Sequence, residues 1–296
     1  MYQDRFGKKW WKGNLHTHTT RSDGRRTPEE AVGLYRDSGY DFLALTDHWV
    51  CSESCVRDGL LLLAGCEYDV GTETAEKGIY HILSIGAKEP PALRKEAGLG
   101  PQEVLDAVHE AGGFAILAHP SWSLNRPEKI LELRGVDASE IYNTMSGVPW
   151  NGRRADSSVI LDEVSAGGML LPCIATDDAH FYNGEHCRSF VWVQAEELTQ
   201  DAILEALRAG RFYASQGPRM EVRLEGGRVR VKCSPARHVV FYSNQVWSTY
   251  RTVSGENLTE AEYLLGPQET FVRVEVIDGE GNLAWSSPVF TGRMGE

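Results

Sequence analysis

From Gly13 to about Val193, short apolar runs alternate with stretches that carry helix-start and helix-stop signals, and this alternation constrains the fold most. The runs are Phe42–Leu45, Leu60–Ala64, His81–Ile85, Phe114–Ala118, Glu140–Tyr142 and Leu170–Ala175. Between them, Thr27-Pro28-Glu29-Glu30 combines an N-cap residue, a proline at the first helical position and an acidic first turn. Gly100-Pro101-Gln102-Glu103 opens Val104–Ala111 in a similar way, and Gly112-Gly113 ends it. Apolar runs bounded by helices have no polar face to alternate, which is the pattern of strands covered on both sides. The expectation is βα units around a buried parallel sheet, either a barrel or a doubly wound α/β fold.

After a helix over Thr199–Ala209 the period changes. Ser215-Gln216-Gly217-Pro218 punctuates the chain, and strict alternation begins in Met220–Leu224 and Val229–Cys233. A two-residue turn at Gly226-Gly227 would pair Leu224 with Val229, Val222 with Val231 and Met220 with Cys233. Val239–Ser243 and Phe271–Ile277 continue the strand signal, with a further turn at 279–282. The chain therefore divides into a larger domain over 1–217 and a small antiparallel β-domain over 218–296, as its 296 residues suggest. Tyr242, Trp247 and Trp285 are expected in the core of that domain or at its interface.

Thirty Lys and Arg stand against 42 Asp and Glu, a formal charge of −12 that opposes broad nucleic-acid binding. Apolar residues make up 42% and charged residues 24%, the balance of an ordinary globular protein. The longest apolar run is far below the roughly 20 residues of a bilayer span, and the first ten residues lack a signal-peptide core. A cytoplasmic location without membrane partners is expected. The six cysteines, Cys51, Cys55, Cys66, Cys173, Cys187 and Cys233, form no CxxC pair and read as reduced thiols.

Among nine histidines, six share one context. His16, His18, His48, His119 and His180 lie at or just past the ends of apolar runs, and His81 opens one. Asp23, Glu67 and Asp178 sit in comparable places, Glu67 closing the run that begins at Leu60. In a parallel βα fold the carboxyl ends of the strands form one rim, where distant segments converge. His16-Thr17-His18 and Asp178-Ala179-His180 each put two side chains on one strand face. Packing six imidazoles there without metal would leave many half-desolvated, so divalent metal binding is expected. His109, His186 and His238 fall outside this pattern and are expected on the surface. Asp47 and Asp177, alternate to the ligand candidates, are expected to support them from behind.

The series His16-x-His18, Ser22-Asp23-Gly24, Thr46-Asp47-His48, Gly65-Cys66-Glu67, Tyr80-His81, Ala118-His119-Pro120 and Asp178-Ala179-His180 resembles the PHP (polymerase and histidinol phosphatase) superfamily over about 13–193. The resemblance implies a distorted seven-stranded (β/α) barrel with two or three divalent metals. It assigns His16, His18, Glu67 and Asp178 to one metal. Glu67 would bridge to a second metal held by His81 and His119, and Asp23, His48 and His180 would hold a third. Asn151-Gly152-Arg153, Asp156 and the segment Leu207–Gly217 are similar to members that carry a β-sandwich-like domain after the barrel.

Two cations bridged by a carboxylate can bind a hydroxide nucleophile and clamp a phosphoryl oxygen. The mixed imidazole and carboxylate set suits zinc, manganese or iron. The expected activity is hydrolysis of a small phosphate mono- or diester, a nucleotide among the candidates. Asp178, His180 and Arg153 are the expected catalytic residues, Arg153 binding phosphate with Arg154, Arg21 and Arg188 as runners-up. Two alternatives use the same residues: a metal-dependent hydrolase of carbamates, amides or carboxyl esters, and a non-catalytic, metal-stabilised binding module.

Overall fold

The computed structural model describes residues 1–72 and 78–292. Two sheets organise it. In the first, β1 (Tyr2–Gln3) pairs antiparallel with β2 (Lys9–Asn14), and after helix α1 (Pro28–Asp37) the short β3 (Phe42–Ala44) lies parallel to β2. β4 (Cys55–Arg57) runs antiparallel to β5 (Leu60–Leu63), which is parallel to β3. At Ala64 the chain passes into the second sheet. That sheet comprises β6 (Gly65–Gly71), β7 (Ile79–Ile85), β8 (Phe114–Leu117), β9 (Ala138–Asn143) and β10 (Cys173–Thr176), in sequence order. Helices α2 (Pro101–Glu110), α3 (Pro127–Ile130) and α4 (Ser158–Ala166) lie in its connections.

The two sheets meet at single bridges. Thr17 pairs with Ala179 beyond the ends of β2 and β10, and His48 pairs with Glu67 beyond the end of β3. An all-parallel ladder is not what forms. β6–β7 and β7–β8 are antiparallel, and β11 (Phe190–Gln194) returns to lie antiparallel to β2. Leu60–Cys66 is likewise not one strand. It breaks at Ala64, and Glu67 stands inside β6 rather than at a strand end. A run buried on every side carries no record of strand direction or of where one strand stops.

Local signals appear as expected. Thr27 caps α1 in a full capping box, its side chain accepting from Glu30 N–H while Glu30 accepts from Thr27 N–H. The helix turns Ala31, Val32 and Tyr35 inward. Pro101 opens α2 after Gly100, and Thr199 caps α5 (Gln200–Arg208).

After α5, β12 (Phe212–Ser215) pairs with β11, and the first sheet continues into the C-terminal strands. β13 (Met220–Glu225) and β14 (Arg228–Tyr242) form the hairpin in the expected register, with Met220 opposite Cys233, Val222 opposite Val231 and Leu224 opposite Val229. Gly226 (φ 59°) and Gly227 (φ 75°) both take the left-handed conformation that a tight turn of this hand requires. β15 (Thr252–Leu264) and β16 (Phe271–Ile277) extend it, and β17 (Leu283–Trp285) pairs with both β16 and β12. β18 (Val289–Phe290) pairs with β16. The C-terminal strands are thus hydrogen-bonded to the N-terminal part through β12–β17. Trp285 is fully buried and stacks on Tyr142 of β9, centroids 5.5 Å apart. Trp247, expected in the core or interface, is instead 78% exposed on the β14–β15 connection.

Candidate metal centre

The bridges that join the two sheets carry the candidate ligands. His16 and His18 flank Thr17, Asp178 and His180 flank Ala179, and His48 pairs with Glu67. Alternation therefore turns both pairs to one side of their seam. The nine residues expected from the sequence, His16, His18, Asp23, His48, Glu67, His81, His119, Asp178 and His180, are brought together.

Among the described residues, three groups have donor atoms within 4.8 Å of one another: His16, His18, Glu67 and Asp178; His18, Asp23, His48 and His180; and His48, Glu67 and His81. The first matches one expected ligand set, and the second adds His18 to another. In the third, His48 stands beside Glu67 and His81 where His119 was expected. His119 Nε2 nevertheless lies 3.6 Å from Glu67 Oε1 and 4.0 Å from Asp178 Oδ2. Glu67 is the hub. Its Oε2 is 2.9 Å from His18 Nε2 and 3.1 Å from His16 Nε2, and its Oε1 is 2.7 Å from His81 Nδ1.

Hydrogen bonds behind the cluster aim the imidazoles. Glu140, fully buried on β9, accepts from His16 Nδ1 at 2.7 Å. This leaves the Nε2 lone pair of His16 directed at the cluster. Glu140 also accepts from the His119 backbone N–H, Asn143 and Thr176, so it is fully engaged. His180 Nδ1 donates to the Asp178 carbonyl at 2.7 Å, and His119 Nδ1 lies 3.0 Å from Ser123 Oγ. Asp47 fixes the loop that carries Asp23, accepting from Thr19 N–H, Thr19 Oγ1 and Ser22 Oγ. Gly24 is required there: a Cβ would sit 2.5 Å from the His18 carbonyl. Asp177 faces away from the cluster. Burial pushes its carboxyl up to about 7, against hydrogen bonds from Ser189, Tyr35, Arg188 and Cys187.

The donor set fits divalent metal. His16 Nε2 and His18 Nε2 face each other at 3.1 Å, a contact that only a shared proton or cation makes favourable. Asp178 Oδ1 is buried without a hydrogen-bond partner among the described residues, beside both imidazoles at 3.1 and 3.2 Å. Burial opposes charge on His16 and His18, but Asp178, Glu67 and their neighbouring carboxylates outweigh it and hold both well above the usual imidazole range. The same proximity holds Glu67 and Asp178 below the usual carboxylate range against burial. Asp178 (φ 53°) and His119 (φ 30°) are left-handed just past their strands, a strain that Asp tolerates and that commonly marks ligand positions.

Above the cluster lies a hollow of about 360 Å³ walled by Trp122, Met145, Trp150, Asn151 and Phe181. A second opening shares Asp23, His48 and His81 and is bordered by Arg154 and Lys95. Arg153, the expected phosphate ligand, borders neither. It borders a separate hollow with Arg188 and Gln216. Adjacent residues of an irregular loop point to opposite sides, so the choice between Arg153 and Arg154 is made by the loop's path alone. Glu140 was missed as a functional residue, although its sign was available: a carboxylate in the middle of a buried strand. His109, His186 and His238 lie apart from the centre; His109 pairs with Asp137 and His238 with Ser254.

No family model and no curated protein matches the chain. Among solved structures, a two-domain protein from Bacteroides vulgatus, described as containing a predicted PHP-like metal-dependent phosphoesterase, aligns with 98% of each chain at 17% identity and a TM-score of 0.53. The two share a fold across both parts. PsfC from Pseudomonas syringae aligns with 68% of this chain and 90% of its own at 14% identity and a TM-score of 0.46. An amidohydrolase from Chromobacterium violaceum, with sulfate and no metal bound, aligns with 58% of this chain and 89% of its own at 18% identity and a TM-score of 0.44.

Proposed function

We propose that the chain is a PHP-like, metal-dependent hydrolase of small phosphate esters, built on a distorted (β/α) barrel with the C-terminal strands packed against it. The observation that carries the reading is Glu67, whose two carboxylate oxygens serve different imidazole groups in one buried cluster. A shared carboxylate of this kind holds two cations a few ångströms apart. His16, His18, Glu67 and Asp178 would hold one ion. Glu67, His81 and His119, with His48 beside them, would hold a second, and Asp23, His48 and His180 a third. Bound zinc, manganese or iron supplies a water acidic enough to act as nucleophile near neutral pH and a Lewis acid for a phosphoryl oxygen.

The chain's own groups do the rest. Glu140 keeps His16 in the tautomer that presents Nε2. Trp122, Trp150 and Phe181 wall the hollow above the cluster and would displace part of the water around a bound phosphoryl group. Arg154 lines the adjoining opening and would bind a phosphate oxygen that the metals leave free. Its guanidinium donates to the Trp122 carbonyl at 3.5 Å.

The test is elemental analysis of protein purified without chelator, joined to a screen of phosphate esters on the same sample. Two or three equivalents of zinc, manganese or iron are expected, with turnover lost in Asp178→Asn, which keeps the left-handed backbone tolerance of the original residue. Arg154→Ala should raise KM several-fold, whereas Arg153→Ala should leave it unchanged. Bound metal with no turnover of any phosphate ester would overturn the substrate class. Protein that takes up no metal on reconstitution would overturn the whole proposal.

A further inference from the structure

Behind Glu67, on the opposite face of β6, two cysteines distant in sequence are placed in register. Ser52 and Gly65 exchange both backbone hydrogen bonds, at 2.8 and 3.3 Å, as a single antiparallel bridge. One step along this pairing, the register would set Cys51 opposite Cys66. The position beside a hydrogen-bonded pair is the non-hydrogen-bonded one, where Cα atoms approach to about 4.5 Å. That lies within the roughly 4.4–6.8 Å spacing that a disulfide accepts.

The side chains agree with the register. Cys51 Sγ is 3.4 Å from the hydroxyl of Tyr68, which shares the Cys66 face of β6. Both thiols border one open hollow of about 520 Å³, with Cys66 itself buried and Cys51 half-buried. Cys55 has no such partner, since it stands opposite Leu62.

We propose that Cys51 and Cys66 form a redox modification site, a cross-strand dithiol that a disulfide-class oxidant converts to an intramolecular disulfide. The Cys51 thiolate attacks one sulfur of the oxidant RSSR, forming a mixed disulfide and releasing RS⁻. Cys66 then loses its proton to solvent and attacks the Cys51 sulfur, expelling the second RS⁻. Two protein thiols are oxidised and one RSSR is reduced to two RSH. The division of labour follows from accessibility: Cys51 is half-buried and meets the oxidant first, whereas Cys66 is buried behind it and resolves the mixed disulfide.

The site is wired to the metal cluster. Cys51 ends the loop that carries His48, Cys66 directly precedes Glu67, and Cys66 Sγ also contacts the Asp47 carbonyl at 3.8 Å. The cross-link would tie together the two segments whose bridge supplies ligands, a consequence that rests on the proposed metal centre; the disulfide itself does not.

The test exposes the full-length protein to glutathione disulfide or to dithiothreitol, followed by alkylation, non-reducing digestion and mass spectrometry. A Cys51–Cys66 linked peptide, two hydrogens lighter and reversed by dithiothreitol, is expected. Cys55→Ser should form it unchanged, and Cys66→Ser should instead trap a glutathione adduct on Cys51. In metal-loaded protein, oxidation should change the rate of metal loss to a chelator several-fold, with no change in Cys51→Ser. Both thiols remaining alkylatable, or either pairing with another cysteine, would overturn the proposal. A cross-link in protein that binds no metal would uphold it while overturning the proposed function.

Discussion

Glu140 shows how one buried carboxylate sets up a centre that it does not enter. It accepts from His16 Nδ1 at one oxygen and from the His119 backbone N–H at the other. Glu140→Gln keeps the volume but removes the charge that holds the His16 N–H. A loss of about 10–100-fold in metal affinity is expected, measured by competition with a chromogenic chelator, with the fold intact by circular dichroism. The protonation of His16 and His18 predicts a pH dependence. Against burial, their folded-state values are raised by Asp178 and Glu67, with Glu140 adding to His16 and Asp23 to His18, so below those values each ion must displace protons to bind. Metal affinity should therefore rise with pH until the raised values are passed, and loading should release protons into a weakly buffered solution. A flat profile between pH 6 and 8 would contradict this account.

At the scale of elements, ligands come from the ends of strands and from the bridges just beyond them, while helices act at a distance. α1 follows the Asp23 loop, but its capping box involves only Thr27 and Glu30. Thr27→Ala should cost about 1 kcal/mol in urea denaturation without altering metal affinity. Gly24→Ala should lower metal affinity as well as stability, because its methyl group would meet the His18 backbone and displace the Asp23 loop. The capping box and the β13–β14 hairpin were legible because the signals are local: a helix start lies within four residues, and alternation about two glycines determines register. The antiparallel turn of β6–β7–β8 was not legible, since continuous apolar runs look alike in either direction.

For the molecule as a whole, the C-terminal strands are built into the first sheet and clamped to the second. Arg273 of β16, 1% exposed, forms a bidentate pair with Asp162 of α4 at 2.6 and 2.7 Å. Asp162→Asn would leave the buried guanidinium with Glu275, at 3.7 Å, as its one paired carboxylate among the described residues. A loss of about 3 kcal/mol is expected. Because the β12–β17 pairing and Trp285 couple the two parts, denaturation followed by tryptophan fluorescence and by circular dichroism should give coincident curves. Separate transitions would mean that residues 218–296 fold independently.

The sequence alone determined which residues gather at the centre, because paired histidines and carboxylates at the ends of apolar runs can converge in few ways in a βα fold. It also determined the helix starts and the hairpin register, each governed by residues close in the chain. Tertiary structure alone decided the rest: that Glu67 lies mid-strand as the hub, that Glu140 orients His16, that Arg154 rather than Arg153 borders the opening, and that Cys51 and Cys66 border one hollow. All four depend on distances between segments that no local pattern encodes, set by where the two sheets meet.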